Sequence, residues 1–198
     1  PADVSIRQLQ DDTAQNAVIL GDNEYRRRVR LSNVVVTSSV LSARDGRFHF
    51  FVQEAFPPAD VSFSGIQVYS SSEPADINLG DTINLTGFYK EFYGLSEVEY
   101  GTHEVVSGGS ALTAKMLSTA DLSNESELEA YEGVLIELQD LQVVEIGVQS
   151  RGGSTAEFND FSVKEASATE PFNTLVIGTD FYPMTPAVED VFSSVTGP

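Results

Sequence analysis

The chain has 198 residues, of which 41% are apolar, none is cysteine, and the formal charge is −19. That length buries roughly 70% of the surface an unfolded chain exposes, so a core forms without staples, and the lack of cysteine excludes disulfide frameworks and thiolate metal sites. Apolar residues come in short runs, far below the ~20 that a membrane helix needs, and the acidic excess repels phosphate backbones and acidic lipid while favouring cations.

The charge is unevenly spread. Pro1 to Arg47 carries seven basic and six acidic side chains, whereas Phe48 to Pro198 carries four basic against twenty-four acidic. The start at Pro1, without an initiator Met or a leader, suggests a piece processed or excised from something longer, with any export signal upstream.

Ser5 followed by Gln8 is a capping-box pattern before Leu9 and predicts a short helix that plugs one end of a barrel. Gly21-Asp22-Asn23 is a turn, and Val29 to Thr37 carries the β-branched residues of a first strand. Asp45-Gly46 breaks the chain before a second strand, Phe48 to Gln53, with Phe48, Phe50 and Val52 on one face. Gly65 to Tyr69 makes a third strand, and Gly80-Asp81 turns into a fourth at Thr82 to Gly87. After an aromatic stretch from Phe88 to Gly94, Phe92 to Tyr100 gives a fifth. Five short strands with such turns fit a small barrel better than a sandwich.

The pattern then repeats. The apolar positions 29, 31, 34 and 36 match 136, 138, 141 and 143; Phe50 to Glu54 returns as Phe161 to Glu165; Leu85-Thr86-Gly87 returns as Val195-Thr196-Gly197. The offsets of 107, 111 and 110 residues keep one order along the chain. A capped first unit over 1–118, a linker with a short helix over 119–132 and a second unit over 133–198 follow from this. The second copy stops before its aromatic turn and fifth strand, so it is truncated or completed by another segment.

The run through Val34 to Thr37, Phe50 to Glu54, Gly65 to Tyr69, Gly80-Asp81, Leu85 to Gly87 and Glu91 to Ser96 resembles the YhcR-like OB-fold domain. Leu128 to Ile136 resembles the linker into a second unit of that family. The resemblance covers about four-fifths of the chain. It implies an all-β fold of two tandem OB-like small barrels, the second incomplete, with short helical linkers. It also implies a secreted or cell-surface bacterial protein in which this piece is an accessory of other domains, among them extracellular nucleases. The family's catalytic nuclease domain has no counterpart here. The acidic body departs from the basic, aromatic-bearing grooves of OB folds that take nucleic acid.

Signatures of catalysis are missing: there is no His-Glu-x-x-His and no Gly-x-Ser-x-Gly, and the two histidines, His49 and His103, fall on different predicted strands. The expectation is a protein that is not an enzyme. Asp121, Ser123, Glu125, Glu127, Glu129 and Glu132 stand at positions 1, 3, 5, 7, 9 and 12 of a calcium-loop frame, although Ser126 replaces its glycine. The same spacing reads equally as a capped, solvated helix, so calcium is the one cofactor considered. Asp45, Asp76 and Asp81 read as turn formers.

Alternation nominates a ligand face. With Phe48, Phe50, Val52, Ile66 and Val68 inward, His49, Phe51, Gln53, Gln67 and Tyr69 point outward. The flanking loops add Arg44 and Arg47, and Tyr89, Lys90, Phe92 and Tyr93, a set suited to stacking carbohydrate or single-stranded nucleic acid. The simpler alternative is that Phe51 and Tyr69 pack against the neighbouring unit or linker. Arg26, Arg27, Arg28 and Arg30 form the only basic cluster, read as a solvated strand edge or a phosphate track. The partners expected are flanking domains of the parent protein.

Overall fold

A computed structural model describes residues 1–10, 27–42, 46–55, 60–92, 95–109, 112–148, 160–169, 171–178 and 184–198. Their fold is all-β, with sheets that are partly curled. In chain order the elements are β1 (Ala2–Asp3), α1 (Ile6–Gln10), β2 (Arg27–Val36), β3 (Leu41–Ser42), β4 (Phe48–Glu54), β5 (Gly65–Ser70), β6 (Thr82–Phe92) and β7 (Leu95–Ser107). There follow β8 (Lys115–Met116), a 3-10 turn over Thr119–Leu122, α2 (Glu125–Ala130), β9 (Ile136–Ile146), β10 (Phe161–Glu165), β11 (Leu175–Ile177) and β12 (Val191–Gly197). The chain divides into two compact units. One holds Pro1–Lys115, Glu129–Leu135 and Gly197–Pro198, the other Met116–Leu128 and Ile136–Thr196.

In the first unit the pairings return to their starting point. β2 pairs with β4 and β6, β4 with β5, and β6 with β7, all antiparallel, and β5 closes the circuit by pairing parallel with β7. β2 serves two partners because it bends. Its register slips between Leu31 and Val34, and Asn33 lies there in the left-handed region at φ 55, with its N–H donating to Asn84 Oδ1 at 3.0 Å. Asn tolerates that region better than most residues, and such a bulge turns a strand.

Alternation fills the interior. Phe50, Val52, Ile66, Val68, Ile83, Leu85 and Val98 are fully buried and pack in one cluster with Val29, Leu31, Val34 and Val36. Each such side chain contributes about 1.5–3 kcal/mol by leaving water. The expected capping box forms: Gln8 N–H donates to Ser5 Oγ at 3.1 Å and Ser5 N–H to Gln8 Oε1 at 2.9 Å. It sets α1 so that Ile6 and Leu9 enter the same core.

Two strands differ from expectation. β6 continues through the aromatic stretch to Phe92, and β7 runs from Leu95 to Ser107, so residues 88–92 are strand and not turn. The reason is ladder formation: Phe88 faces Glu99, Tyr89 faces Val98, and Phe92 faces Leu95.

The second unit contains a four-strand path in the order β11-β10-β9-β12. Its register repeats that of the first. Leu141, Gln142 and Val143 pair with Glu165, Lys164 and Val163, as Val34, Val35 and Val36 pair with Glu54, Gln53 and Val52. Phe161 and Val163 pair with Ile177 and Leu175, as Phe50 and Val52 pair with Val68 and Ile66. Asp140, the counterpart of Asn33, is also left-handed at φ 51. The turns match too. Gly80 N–H donates to Val36 O and Val36 N–H to Asp81 O; Glu189 N–H donates to Val143 O and Val143 N–H to Asp190 O. Among the described residues, nothing in this unit takes the place that β7 holds in the first.

Candidate functional site

The outer face of β4 and β5 is where alternation places His49, Phe51, Gln53, Gln67 and Tyr69, and much of it is covered. Gln53, Gln67 and Tyr69 are only 3%, 3% and 8% exposed. The cover over its Gln53 end is residues 129–135, which belong to the same unit. Ala130 O accepts from Phe63 N–H at 2.6 Å, Leu135 N–H donates to Gln53 Oε1 at 3.0 Å, and Val134 between them is fully buried. Two glycines allow the approach. Gly133 is left-handed at φ +67, and a Cβ built on Gly65 would stand 1.9 Å from Gly133 O. Beside them Ser96 N–H donates to Glu132 Oε2 at 3.2 Å.

The other end of the face carries an aromatic and cationic group. The His49 and Tyr69 rings meet edge-on with centroids 5.4 Å apart, and Gln67 Nε2 bonds to His49 Nδ1. Arg47 lies 4.9 Å above the Tyr69 ring. Lys90 Nζ sits 4.7 Å from the Tyr69 centroid and 4.9 Å from that of Phe92, and pairs with Glu97 Oε1 at 2.5 Å. Glu97 is only 3% exposed, so the lysine is held between two ring faces and a buried carboxylate.

Next to this group lies a hydrogen-bonded network. Tyr89 OH is within 3.1 Å of both Glu91 Oε2 and Ser96 Oγ, and Ser96 Oγ donates to Glu91 Oε2 at 2.9 Å. Ser96 is 2% exposed. Burial, with the Glu91 carboxylate alongside, raises the Tyr89 phenol above its ordinary value. Burial also pushes Glu132 up to about 7, helped by Glu129 and Glu91 and opposed by the Ser96 N–H. A neutral Glu132 at mildly acidic pH therefore lies against two like charges without repulsion.

No family model matches the chain, and no curated protein matches it. The chemistry must be read from the geometry. Of the residues nominated by alternation and in the flanking loops, the fold brings Arg47, His49, Gln67, Tyr69 and Phe92 together. Phe51 shares their face, and its N–H donates to Ser38 Oγ at 2.9 Å, while Gln53 is turned to the covering segment. Tyr89 belongs to the Glu91–Ser96 network. Arg44, Tyr93 and Arg26, the turn at 21–23 and Asp45 lie outside the described residues.

The acidic frame is largely absorbed by local caps. Asp121 Oδ2 accepts from Ser118 N–H at 2.8 Å and from Ser118 Oγ at 2.7 Å, and Glu127 Oε2 accepts from Ser123 N–H and Oγ at 3.2 and 3.1 Å. Glu125 is exposed in the first turn of α2. Among the described residues no three His, Asp or Glu side chains gather as a metal would require. In the basic cluster, Arg30 Nε lies 3.8 Å from Asp3 Oδ1, and Arg28 and Arg30 line a shallow depression of about 200 Å³ with Asn84, Thr86, Thr102 and His103. Asp76 is left-handed at φ 61, and Asp81 Oδ2 accepts from Asn78 N–H at 2.8 Å, both as turn residues.

Sequence reasoning missed Ser96, Glu91, Glu97 and the covering segment. The one available cue for the segment was Gly133 directly after Glu132.

Proposed function

We propose that the chain is a non-catalytic, structural or ligand-presenting module of a secreted or cell-surface bacterial protein, built as two tandem OB-like barrels of the YhcR-like kind with the second incomplete. The five-strand circuit of the first unit, with its bent, shared β2 and single parallel pair β5–β7, supports an OB-like barrel. The register repeated in β9 to β11 supports the tandem reading. The partners on this reading are flanking domains of the parent polypeptide.

The observation that carries the functional conclusion is the cover over β4 and β5. An OB fold takes ligands on the face of its second and third strands, and here residues 130–135 lie over part of that face through Gly65, Phe63 and Gln53. The Lys90 cation is already paired with Glu97, and the whole chain is acidic. No cofactor belongs to this reading, so millimolar calcium leaves the melting temperature unmoved; a calcium-dependent rise would bring the Asp121–Glu132 frame back.

A second reading, an accessory module that holds single-stranded nucleic acid or carbohydrate for a linked enzyme, has one observation in its favour. Arg47, His49, Tyr69, Lys90 and Phe92 stand together at the end of the face, with Phe92 48% exposed. Titration of a fluorescein-labelled oligo-dT at low and moderate salt decides. Flat titrations support the structural reading. Saturable, salt-sensitive binding that is lost in Arg47→Ala and Phe92→Ala would replace it with the second.

A further inference from the structure

We propose that the cleft between the β2–β3 and β5–β6 connections of the first unit takes the side chain of an arginine presented by a partner polypeptide. Its aliphatic stem would lie on Val40, Ala75 and Leu79, and its guanidinium would reach Glu73 and Asp76. This surface is separate from the outer face of β4 and β5, and nothing in it depends on the cover there.

The cleft measures about 540 Å³, within the range of small-ligand sites, and is lined by Ser39 and Val40 on one side and by residues 73–79 on the other. Its walls are anchored. Ile77 is buried in the barrel core, Pro74 is buried, and Val40 packs against the same core. Beyond them, Asn78 N–H donates to Asp81 Oδ2 at 2.8 Å and Gly80 N–H donates to Val36 O at 2.9 Å. Leu79 stands between these bonded residues and is nevertheless 62% exposed. The turn therefore holds an apolar side chain out in water at the edge of the cleft.

Charge selects the occupant. Glu73 and Asp76 are exposed, and among the described residues neither has a hydrogen bond or an ion pair. Other carboxylates of the unit are committed: Asp81 to Asn78, Glu97 to Lys90, and Glu91 to Tyr89 and Ser96. The lining holds no Lys, Arg or His. Apolar walls with carboxylates at the rim match a cation on an aliphatic stem, since such side chains bury the stem and keep the charge at the water. Arginine fits better than lysine, because its five N–H donors can serve two carboxylates at once. A free amino acid would bring its own carboxylate to an acidic rim, so the cation comes in peptide linkage.

The second unit supplies an internal control. Its matching turn has the same bond, Ala187 N–H to Asp190 Oδ2 at 2.8 Å, and Val188 stands exposed where Leu79 does. Tyr182 and Thr185, however, occupy the sequence positions of Glu73 and Asp76, so the apolar tip recurs without the charge.

The test titrates the isotope-labelled 198-residue protein with Nα-acetyl-arginine N-methylamide and with the corresponding citrulline compound, its uncharged isostere, and follows amide shifts by NMR. The arginine compound should give saturable shifts at Val40, Ala75, Asp76 and Leu79, with binding at least about fivefold tighter than for citrulline and weakened by salt. Glu73→Gln combined with Asp76→Asn should lower the affinity to the citrulline level, and the dispersion of the same spectrum reports that the variant is folded. Val188 should not shift. The inference is overturned if the shifts do not saturate, if the citrulline compound binds equally well, or if the double variant binds as the wild type does. It is also overturned if shifts of equal size appear at Val188 or across residues 121–132, because the response is then the diffuse attraction of a cation to an acidic chain.

Discussion

The carbonyl oxygen of Gly133 occupies the space in which any side chain on Gly65 would begin, 1.9 Å from where its Cβ would stand. The pair locks residues 130–135 onto the outer face of β5, because relief would require moving backbone and not a flexible side-chain end. Gly65→Ala is therefore expected to cost about 2–3 kcal/mol, read as a lower urea midpoint at unchanged slope. It should also speed cleavage after Glu129 and Glu132 by a glutamate-specific protease relative to the wild-type protein.

Glu132 makes the same contact pH-dependent. Its carboxyl titrates near 7 in the fold against an ordinary 4.5, so the folded state holds a proton that the unfolded state has released between those values. The associated stability is fully present below about pH 4.5 and is lost as pH rises through about 7. Glu132→Gln keeps an acceptor for the Ser96 N–H and removes the charge. It should raise the melting temperature at pH 8 by about 2–5 °C, allowing for partial solvation, with a smaller difference from wild type at pH 5. A pH-independent difference would remove Glu132 as the cause.

Lys90 and Glu97 form an ion pair whose carboxylate is almost wholly buried. Lys90→Ala leaves that charge without its cation and is expected to cost about 2–4 kcal/mol. Adding Glu97→Gln should recover at least half of the loss. A double-mutant cycle in denaturant measures this, and strict additivity would mean that the pair is not coupled.

Three left-handed residues give a test of the repeat. Asn33 and Asp140 stand at matching bends, and Glu189, at φ 76, stands where the first unit has Gly80 at φ 85. Glutamate pays a steric penalty there that glycine does not, so Glu189→Gly is expected to stabilise the second unit by about 1 kcal/mol. Asn33→Val and Asp140→Val should each destabilise by about 1–2 kcal/mol. A destabilised Glu189→Gly variant would argue against the matching of the two turns.

Much of this architecture was legible in the sequence because it depends on local alternation. Phe50, Val52, Ile66 and Val68 point inward as their period of two demands, and the matching apolar positions align Asn33 with Asp140, which share the left-handed conformation. The outward face was less legible, since its cover comes from Gly133, distant along the chain, and no pattern within β4 or β5 announces it. The aromatic run at 88–92 looks like a turn by its density and proves to be strand through pairing with β7, a long-range choice. The calcium-like spacing at 121–132 counted oxygens correctly and ignored competitors: Ser118 and Ser123 take Asp121 and Glu127 for capping.

The central claim is that the outer face of β4 and β5 is partly closed by the chain itself. Residue-resolved amide exchange at Phe63, Ser96 and Leu135, with and without an excess of oligo-dT, tests it most directly. Their N–H groups are the donors to Ala130 O, Glu132 Oε2 and Gln53 Oε1. Protection close to that of Val52 and Val68, unchanged by the oligonucleotide, is the predicted result. Fast exchange at these three amides beside a protected core, or loss of their protection as the oligonucleotide binds, would contradict it.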